Sequence, residues 1–373
     1  MKIAVNLLPF REKLAGAGRY AQKIVSELIR LDKNNNYFLF ISHKGKINFP
    51  ISSPNMKFIT SNFNPDSVWK RIFYEQFIFP FKLKKLKPDI IFTPSVAIPL
   101  FYNGRFFTTI HDIAYKKIKN KYPLLRRLYV SWVTKMAFRK SEVVFTVSNF
   151  SKKELIEEFG IEKDILVTYN AVDDNFFIEY DEIDKRKFNE KYNLPDNFIL
   201  YVGAIEPGKN LDRLFLAFSE LIKSEKDISL AITSGIRWKE KDLLNLIYKL
   251  GISDKIIYLP YIEESELPLL YKNAKLLAYL SSYEGFGLPV LEAMSAGTPV
   301  VTSYSAAIKE FSDSKVNMVN PNNIDEVVAT FKSIIKNNNE VSNKIIEAKK
   351  VAQNFRWKNS AQIILESFNK VVK

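Results

Sequence analysis

Short apolar runs alternate with amphipathic stretches along the first 170 residues. Residues 2–8, 37–42, 90–92, 106–110 and 143–147 are apolar runs of strand length, bounded by polar or turn residues. Between the first two, residues 18–31 carry Ile24, Val25, Leu28 and Ile29 at helical spacing. After the last, Ser148 or Ser151 is placed to cap a helix that runs to Phe159. The pattern restarts at 197–202 with a strand, then a helix at 211–224, a strand at 228–233, a helix at 240–250 and a strand at 256–259. A strand at 276–280, a helix at 289–296 and a strand at 299–302 follow. Strands alternating with helices predict parallel, doubly wound sheets, so the fold class is α/β. Residues 173–196 are acidic and polar and read as a linker. A last helix, 358–371, follows a break near Asn354. Open α/β sheets bind ligands at the carboxyl ends of their strands, so two such halves are expected to face a cleft and take one substrate each.

Length and composition agree with this division. At roughly 150 residues per domain, 373 residues make two domains. Hydrophobic content of 47% and charged content of 26% exclude disordered and coiled-coil classes. With no cysteine there is no disulfide framework, thiolate nucleophile or iron–sulfur cluster, and with only His43 and His111 there is no multi-histidine zinc site. Asn6 and Pro9 break the first apolar run before it reaches the length of a signal-peptide core. The longest candidate span, 90–104, contains Pro94 and Pro99 and falls short of the roughly 20 residues needed. A cytoplasmic location is expected.

Charge divides the chain unevenly. The formal net charge is +14, yet residues 1–170 hold 29 Lys and Arg against 13 Asp and Glu. Residues 113–141 contain nine basic residues and no acid, interleaved with Leu125, Leu128, Tyr129, Trp132, Val133 and Met136, which share one helical face. A second such stretch runs from Trp69 to Lys87. Basic amphipathic segments with aromatic residues suit an anionic membrane interface; equally, the apolar face belongs to the core and the charges are solvated. No zinc finger, ribonucleoprotein motif or basic zipper points to nucleic acid.

The densest chemistry lies in residues 282–299, Ser-Tyr-Glu-Gly-Phe-Gly-Leu-Pro-Val-Leu-Glu-Ala-Met-Ser-Ala-Gly-Thr-Pro. A strand ends near Leu280, a loop carries Gly285 and Gly287, Pro289 opens a helix and Gly297 closes it. Unpaired N–H groups at such a helix start suit a phosphate. Glu292, about one turn in, is placed for sugar hydroxyls beside that phosphate, and Glu284 for a second sugar. Lys209 sits in another strand-to-helix turn and is placed to meet the same diphosphate. As a plain turn, the glycines would serve only the chain reversal and both glutamates would be solvated.

Glu284 and Glu292 lie within E-G-F-G-L-P-x-L-E-A-M-x-x-G-x-P-V-V, which resembles the signature of retaining glycosyltransferases of family 4. Gly16-Ala17-Gly18-Arg19-Tyr20 resembles that family's first glycine-rich loop, His111-Asp112 its acceptor-side His-Asp, and Thr146-Val147-Ser148-Asn149-Phe150-Ser151 its T-V-S-x-x-S. Lys209-Asn210 resembles its K-N and Phe355-Arg356-Trp357 its closing F-x-W. Gly208 stands where the family often has arginine, Ala204 where some members have it and Ala171 where N-G-V-D is common, and the proline usual before S-x-x-E-G-F-G is absent; these departures bear on donor affinity.

The resemblance implies a GT-B fold: two Rossmann-like domains facing a cleft, 1–172 for the acceptor and 173–355 for the nucleotide sugar, with a helix in 356–373 returning to the first. It implies transfer of a sugar from a GDP- or UDP-sugar to a hydroxyl of a lipid-linked or surface-polysaccharide acceptor, with retention and with mannose favoured. Glu284, His111 and Lys209 would be the catalytic set. Gly16, Gly18, Lys209, Gly285, Phe286, Gly287, Leu288 and Glu292 would bind the donor, with Tyr261 and Ile262 beside the base. No metal or other cofactor is implied, and the basic first half would meet an anionic membrane. The alternatives are a nucleotide-sugar epimerase of the same fold and an inactive transferase-like module that binds a membrane or a partner.

Overall fold

The computed structural model describes residues 1–11, 16–43, 49, 51–63, 67–118, 121–160, 163–233, 240–312, 314–336 and 339–371. The chain forms two compact units. The first comprises Met1–Lys116, Tyr122–Asn170 and Arg356–Lys373; the second comprises Lys117–Lys121 and Ala171–Phe355.

The first unit is built on a seven-stranded sheet of β1 (Lys2–Asn6), β2 (Asn36–Ser42), β3 (Met56–Ser61), β4 (Ile90–Thr93), β5 (Phe106–Thr109), β6 (Ser141–Thr146) and β7 (Ile165–Val167). Its order is β3-β2-β1-β4-β5-β6-β7, and every pairing is parallel. The strands are apolar because helices cover both faces of such a sheet. Helix Gly16–Leu31 begins two residues earlier than its apolar spacing suggests and buries Ile24, Val25, Leu28 and Ile29 completely. Each such side chain contributes about 1.5–3 kcal/mol of burial. Ser148 caps helix Asn149–Phe159 by accepting the Ser151 N–H at 3.0 Å, and Gly160 ends it at φ +59°. The terminal helix, Trp357–Val371, completes this unit: the Phe368 ring meets Phe92 at 5.7 Å and Phe107 at 5.0 Å, and Ser360 donates to the Tyr169 carbonyl at 2.7 Å.

The second unit has six parallel strands: β8 (Phe198–Val202), β9 (Ser229–Thr233), β10 (Ile256–Leu259), β11 (Leu276–Tyr279), β12 (Val300–Ser303) and β13 (Asn317–Val319). Their order is β10-β9-β8-β11-β12-β13. One core, including Tyr201, Phe215, Phe218, Leu276 and Phe331, fills it.

Two expectations are corrected. The stretch read as a linker folds: Asp174–Phe177 is a 3₁₀ turn and Glu182–Tyr192 an α-helix, capped by Asp181. That helix buries Phe188, and the Asn273 amide donates to Lys185 O and Asn189 Oδ1. A helix with a single buried residue has the composition of a linker. In helix Leu124–Lys140, of the six residues on the expected apolar face only Val133 is buried. Thr134, Ala137 and Phe138 are buried beside it, so the packed face is offset from the expected one. Among the described residues no helix is long and apolar enough to cross a membrane.

Candidate active site

The second sheet reverses its strand order between β8 and β11, the kind of point at which open α/β sheets bind ligands. β8 runs into the loop 203–210 and β11 into the loop 280–287. The loops are tied together: the Ser282 N–H donates to the Gly208 carbonyl at 2.7 Å, and the Asn210 amide to the Leu280 carbonyl at 2.8 Å. Gly208 has φ +92°, and a Cβ there would stand 2.8 Å from the Ile118 side chain. The backbone therefore requires glycine where the family pattern has arginine.

Lys209 and Glu284 meet at this junction. Lys209 Nζ donates to Glu284 Oε1 at 2.6 Å and to the Tyr279 hydroxyl at 3.0 Å, and it lies 5.2 Å from the centre of the Tyr279 ring. Both charged side chains are largely buried. Burial is the largest single influence and works against each charge, but the partner's opposite charge together with the surrounding hydrogen bonds and neighbouring groups outweighs it. Lys209 is held well above the usual lysine range and Glu284 below the usual carboxylate range. The pair is thus ionised across the neutral range. On β8, Tyr201 donates to the Ala204 carbonyl at 2.9 Å, its own ionisation raised by burial.

Helix Leu288–Ala296 starts beside Glu284. Gly287 precedes it at φ +102°, no side chain caps it, and Pro289 occupies its first turn. The first N–H groups of an α-helix have no intrahelical partner and suit an anion. Gly297, at φ +78°, ends the helix by donating to the Ala293 and Met294 carbonyls. Glu292 is buried, and the Tyr271 hydroxyl donates to its Oε2 at 2.6 Å. Gly285 lies between Glu284 and Phe286 in the loop. The Phe286 ring stacks on Phe311 at 4.8 Å and meets Phe355 edge-on at 6.0 Å, and the Leu288 side chain is buried. Those two side chains are packed into the core. Tyr261, exposed, and Ile262, buried, follow β10, two strands from β8 and so about 10 Å across the sheet.

The remaining candidates form a second cluster, in the first unit. Gly16 and Gly18 lie in the first turn of their helix; Gly18 is buried, whereas a Cβ on exposed Gly16 would meet nothing within 4 Å. Two residues further on, the Tyr20 ring stands edge-on to His111 at 4.9 Å and to Trp357 at 6.2 Å. The Tyr20 hydroxyl is 2.7 Å from Thr168 Oγ1, and burial pushes its ionisation up to about 12. His111 Nε2 lies 3.3 Å from the Pro94 carbonyl. A carbonyl only accepts, so Nε2 carries the proton and Nδ1 is the acceptor. Burial lowers the His111 pKa, while Asp112 and the Pro94 carbonyl pull the other way; the neutral ring prevails. Asp112 Oδ1 accepts the Ala114 N–H at 2.8 Å.

Sequence reasoning missed Tyr279, Tyr201 and Tyr271. The first two end apolar strands and pass as core, although a buried phenol needs a hydrogen-bond partner and so signals a polar strand end. Tyr271 lies on helix Leu267–Asn273, which the hydrophobic pattern does not reveal.

A family model described as Glycosyltransferase Family 4 matches residues 15–176, and one described as Glycosyl transferases group 1 matches residues 182–351. O-antigen chain mannosyltransferase B of Escherichia coli is 31% identical over 281 residues, 74% of this chain and 73% of that protein. The chain belongs to the family 4 glycosyltransferases. This glycosyltransferase is also 27% identical over 279 residues to O-antigen chain mannosyltransferase RfbU of Salmonella typhimurium, 74% of this chain and 72% of that one. Its fold is shared with sucrose-phosphate synthase from Thermosynechococcus elongatus, with a TM-score of 0.80 at 16% identity over 99% of this chain and 98% of that one. It is shared too with Anabaena HepE in complex with UDP and glucose, at 0.77 and 18% identity over 99% of each. The GT-B expectation of two Rossmann-like domains is borne out.

Proposed function

We propose that this glycosyltransferase moves a mannosyl group from a nucleotide diphosphate, GDP first, to a hydroxyl of a growing surface polysaccharide or its lipid-linked precursor, with retention at the anomeric carbon. The observation that carries the reading is the buried Lys209–Glu284 pair beside the uncapped start of helix Leu288–Ala296, at the switch point of the second sheet. The mannosyltransferase names of the E. coli and Salmonella relatives support mannose; the UDP bound to HepE supports a nucleotide diphosphate at this fold.

In this reading the departing diphosphate is the chemical problem. Lys209 and the helix N–H groups would meet its growing charge, and preorganised donors of this kind are usually the largest catalytic contribution. Ionised Glu284 would accept hydroxyls of the donor sugar. Glu292, held by the Tyr271 hydroxyl, would bind the ribose. Neutral His111, with Gly16 and Gly18 of the same unit, would serve the acceptor. Lys209 and the helix supply the cationic character, so no metal is assigned a part.

Calorimetric titration with GDP and with UDP, in the presence of EDTA, tests this. GDP is expected to bind more tightly, and Lys209→Ala and Glu292→Ala are each expected to weaken it at least about ten-fold, the loss of a charge-assisted hydrogen bond. Binding of neither nucleotide, together with no turnover of GDP-mannose, would overturn the reading in favour of an inactive module.

A further inference from the structure

The first unit carries an apolar surface that its own core does not use. On helix Leu124–Lys140, Leu125 is 83% exposed, and Leu124, Leu128 and Trp132 are exposed beside it. On the preceding helical segment Trp69 is 80% and Phe81 70% exposed, with Phe73 and Phe77 exposed between them. A π-helical turn, Tyr74–Ile78, separates Val68–Phe73 from Phe79–Leu86. This wider turn buries Tyr74, Glu75 and Gln76 in succession and leaves Phe73, Phe77 and Ile78 outside.

The aromatic side chains of the second segment continue onto the loop beside them. Phe73 packs on Phe77 at 5.2 Å, and Phe77 stacks at 5.9 Å on Phe101, itself 70% exposed. Lys140, at the end of the long helix, donates to the Leu100 and Tyr102 carbonyls on either side of Phe101. In the middle of that helix, Tyr129 lies near enough to Glu75 of the π-helical turn and Arg71 of the helix before it to feel their charges. Single exposed apolar residues are ordinary; a contiguous patch with a charged rim marks an interaction surface. The rim here is basic: Lys70, Lys84, Lys85, Arg126, Arg127 and Lys135 are all exposed.

We propose that this face docks on an anionic lipid bilayer. Trp69, Phe73, Phe77 and Phe101 enter the headgroup layer from one side and Leu125 and Trp132 from the other, and the rim lysines and arginines meet lipid phosphate. The charge distribution favours lipid over a second copy of the chain, because pairing this face with itself would set like charges against each other. Docking is independent of the donor site, so the two readings stand or fall separately.

Flotation of the full chain with vesicles tests the assignment, comparing phosphatidylcholine alone with phosphatidylcholine containing a third phosphatidylglycerol. Binding is expected only to the anionic vesicles and is expected to fall with salt. Arg126→Glu and Lys84→Glu are each expected to weaken it about five-fold or more, since each basic residue near the surface contributes about that factor. Phe77→Ser with Trp132→Ser is expected to abolish it while the melting temperature and far-ultraviolet dichroism stay unchanged. Tryptophan emission should shift to the blue on binding, and Trp69→Phe with Trp132→Phe should remove the shift but keep the binding. Equal binding to neutral vesicles, or binding indifferent to these substitutions, would overturn the proposal. So would a dimer in sedimentation that Phe77→Ser with Trp132→Ser dissociates, or displacement from vesicles by RNA.

Discussion

Burial pushes the Glu75 carboxyl up to about 7, while the Arg71 guanidinium, 3.6 Å away, pulls it down without forming a hydrogen bond. Glu284 is also buried, yet its pKa is lowered, because Lys209 Nζ sits 2.6 Å from Oε1 with good geometry. The contrast is between a carboxylate with a bonded counter-ion and one without. The sign for Glu75 follows. The unfolded chain ionises near the ordinary glutamate value and the folded chain only near 7, so stability falls as pH rises between the two and the loss is complete above the folded value. A shift of this size corresponds to on the order of 3 kcal/mol. Glu75→Gln is therefore expected to stabilise the protein at about pH 8 by roughly 1–3 kcal/mol, the gain vanishing towards about pH 5, as read from urea unfolding at both values. A gain that does not change with pH would refute the account. Residues of this kind are hard to read in a sequence. Lys209, Glu284 and Glu292 stood out through their spacing and their glycine-rich surroundings. Tyr279 and Tyr271, which hold Lys209 and Glu292, lie 70 and 21 residues from their partners and carry no local mark.

Helix Leu288–Ala296 depends on the residue that precedes it. Gly287 has φ +102°, and a Cβ there would come within 2.8 Å of Ile308 Cγ1. Gly287→Ala is expected to cost about 1–3 kcal/mol through backbone strain, with further loss from the displaced Ile308, and to weaken nucleotide binding as the helix start shifts. Gly16→Ala is the contrasting case, since its Cβ meets nothing. It should leave the melting temperature unchanged or slightly higher, since alanine in a helix gains about 0.5–1 kcal/mol over glycine. Thermal melting and calorimetric titration of both variants check this. A similar fall in stability for the two would show that the φ and the contact at Gly287 do not govern the helix. The elements that the sequence revealed were those with continuous apolar runs, such as β1, β4 and β8, because a central parallel strand is buried on both faces. The edge strands β3 and β13 did not show, since Met56–Ser61 and Asn317–Val319 are only partly buried and mix polar with apolar residues. Strand order is set by contacts between distant segments, so the switch point at β8 and β11 was not legible before the structure.

At the scale of the whole molecule, the last residues of the chain belong to its first unit, and the donor residues belong to the second. Two cores of this kind need not melt together, and a perturbation confined to one should leave a signature in the other's stability only through coupling. Phe368 offers that perturbation: it is fully buried against Phe92 and Phe107, far along the sequence from Lys209, Glu284 and Glu292. Phe368→Ala should cost the first unit about 3–5 kcal/mol through the lost transfer energy and the cavity left behind. A bound nucleotide acts oppositely, on the unit that holds it, adding about 2.7 kcal/mol at a hundred-fold excess over its dissociation constant. Differential scanning calorimetry is therefore expected to resolve two transitions. Phe368→Ala should lower one of them by several degrees with nucleotide affinity retained, and saturating GDP should raise the other in the wild type and the variant alike. A single transition moved by both changes would mean that the two units unfold as one, and that the terminal helix stabilises the donor site as much as the sheet on which it lies.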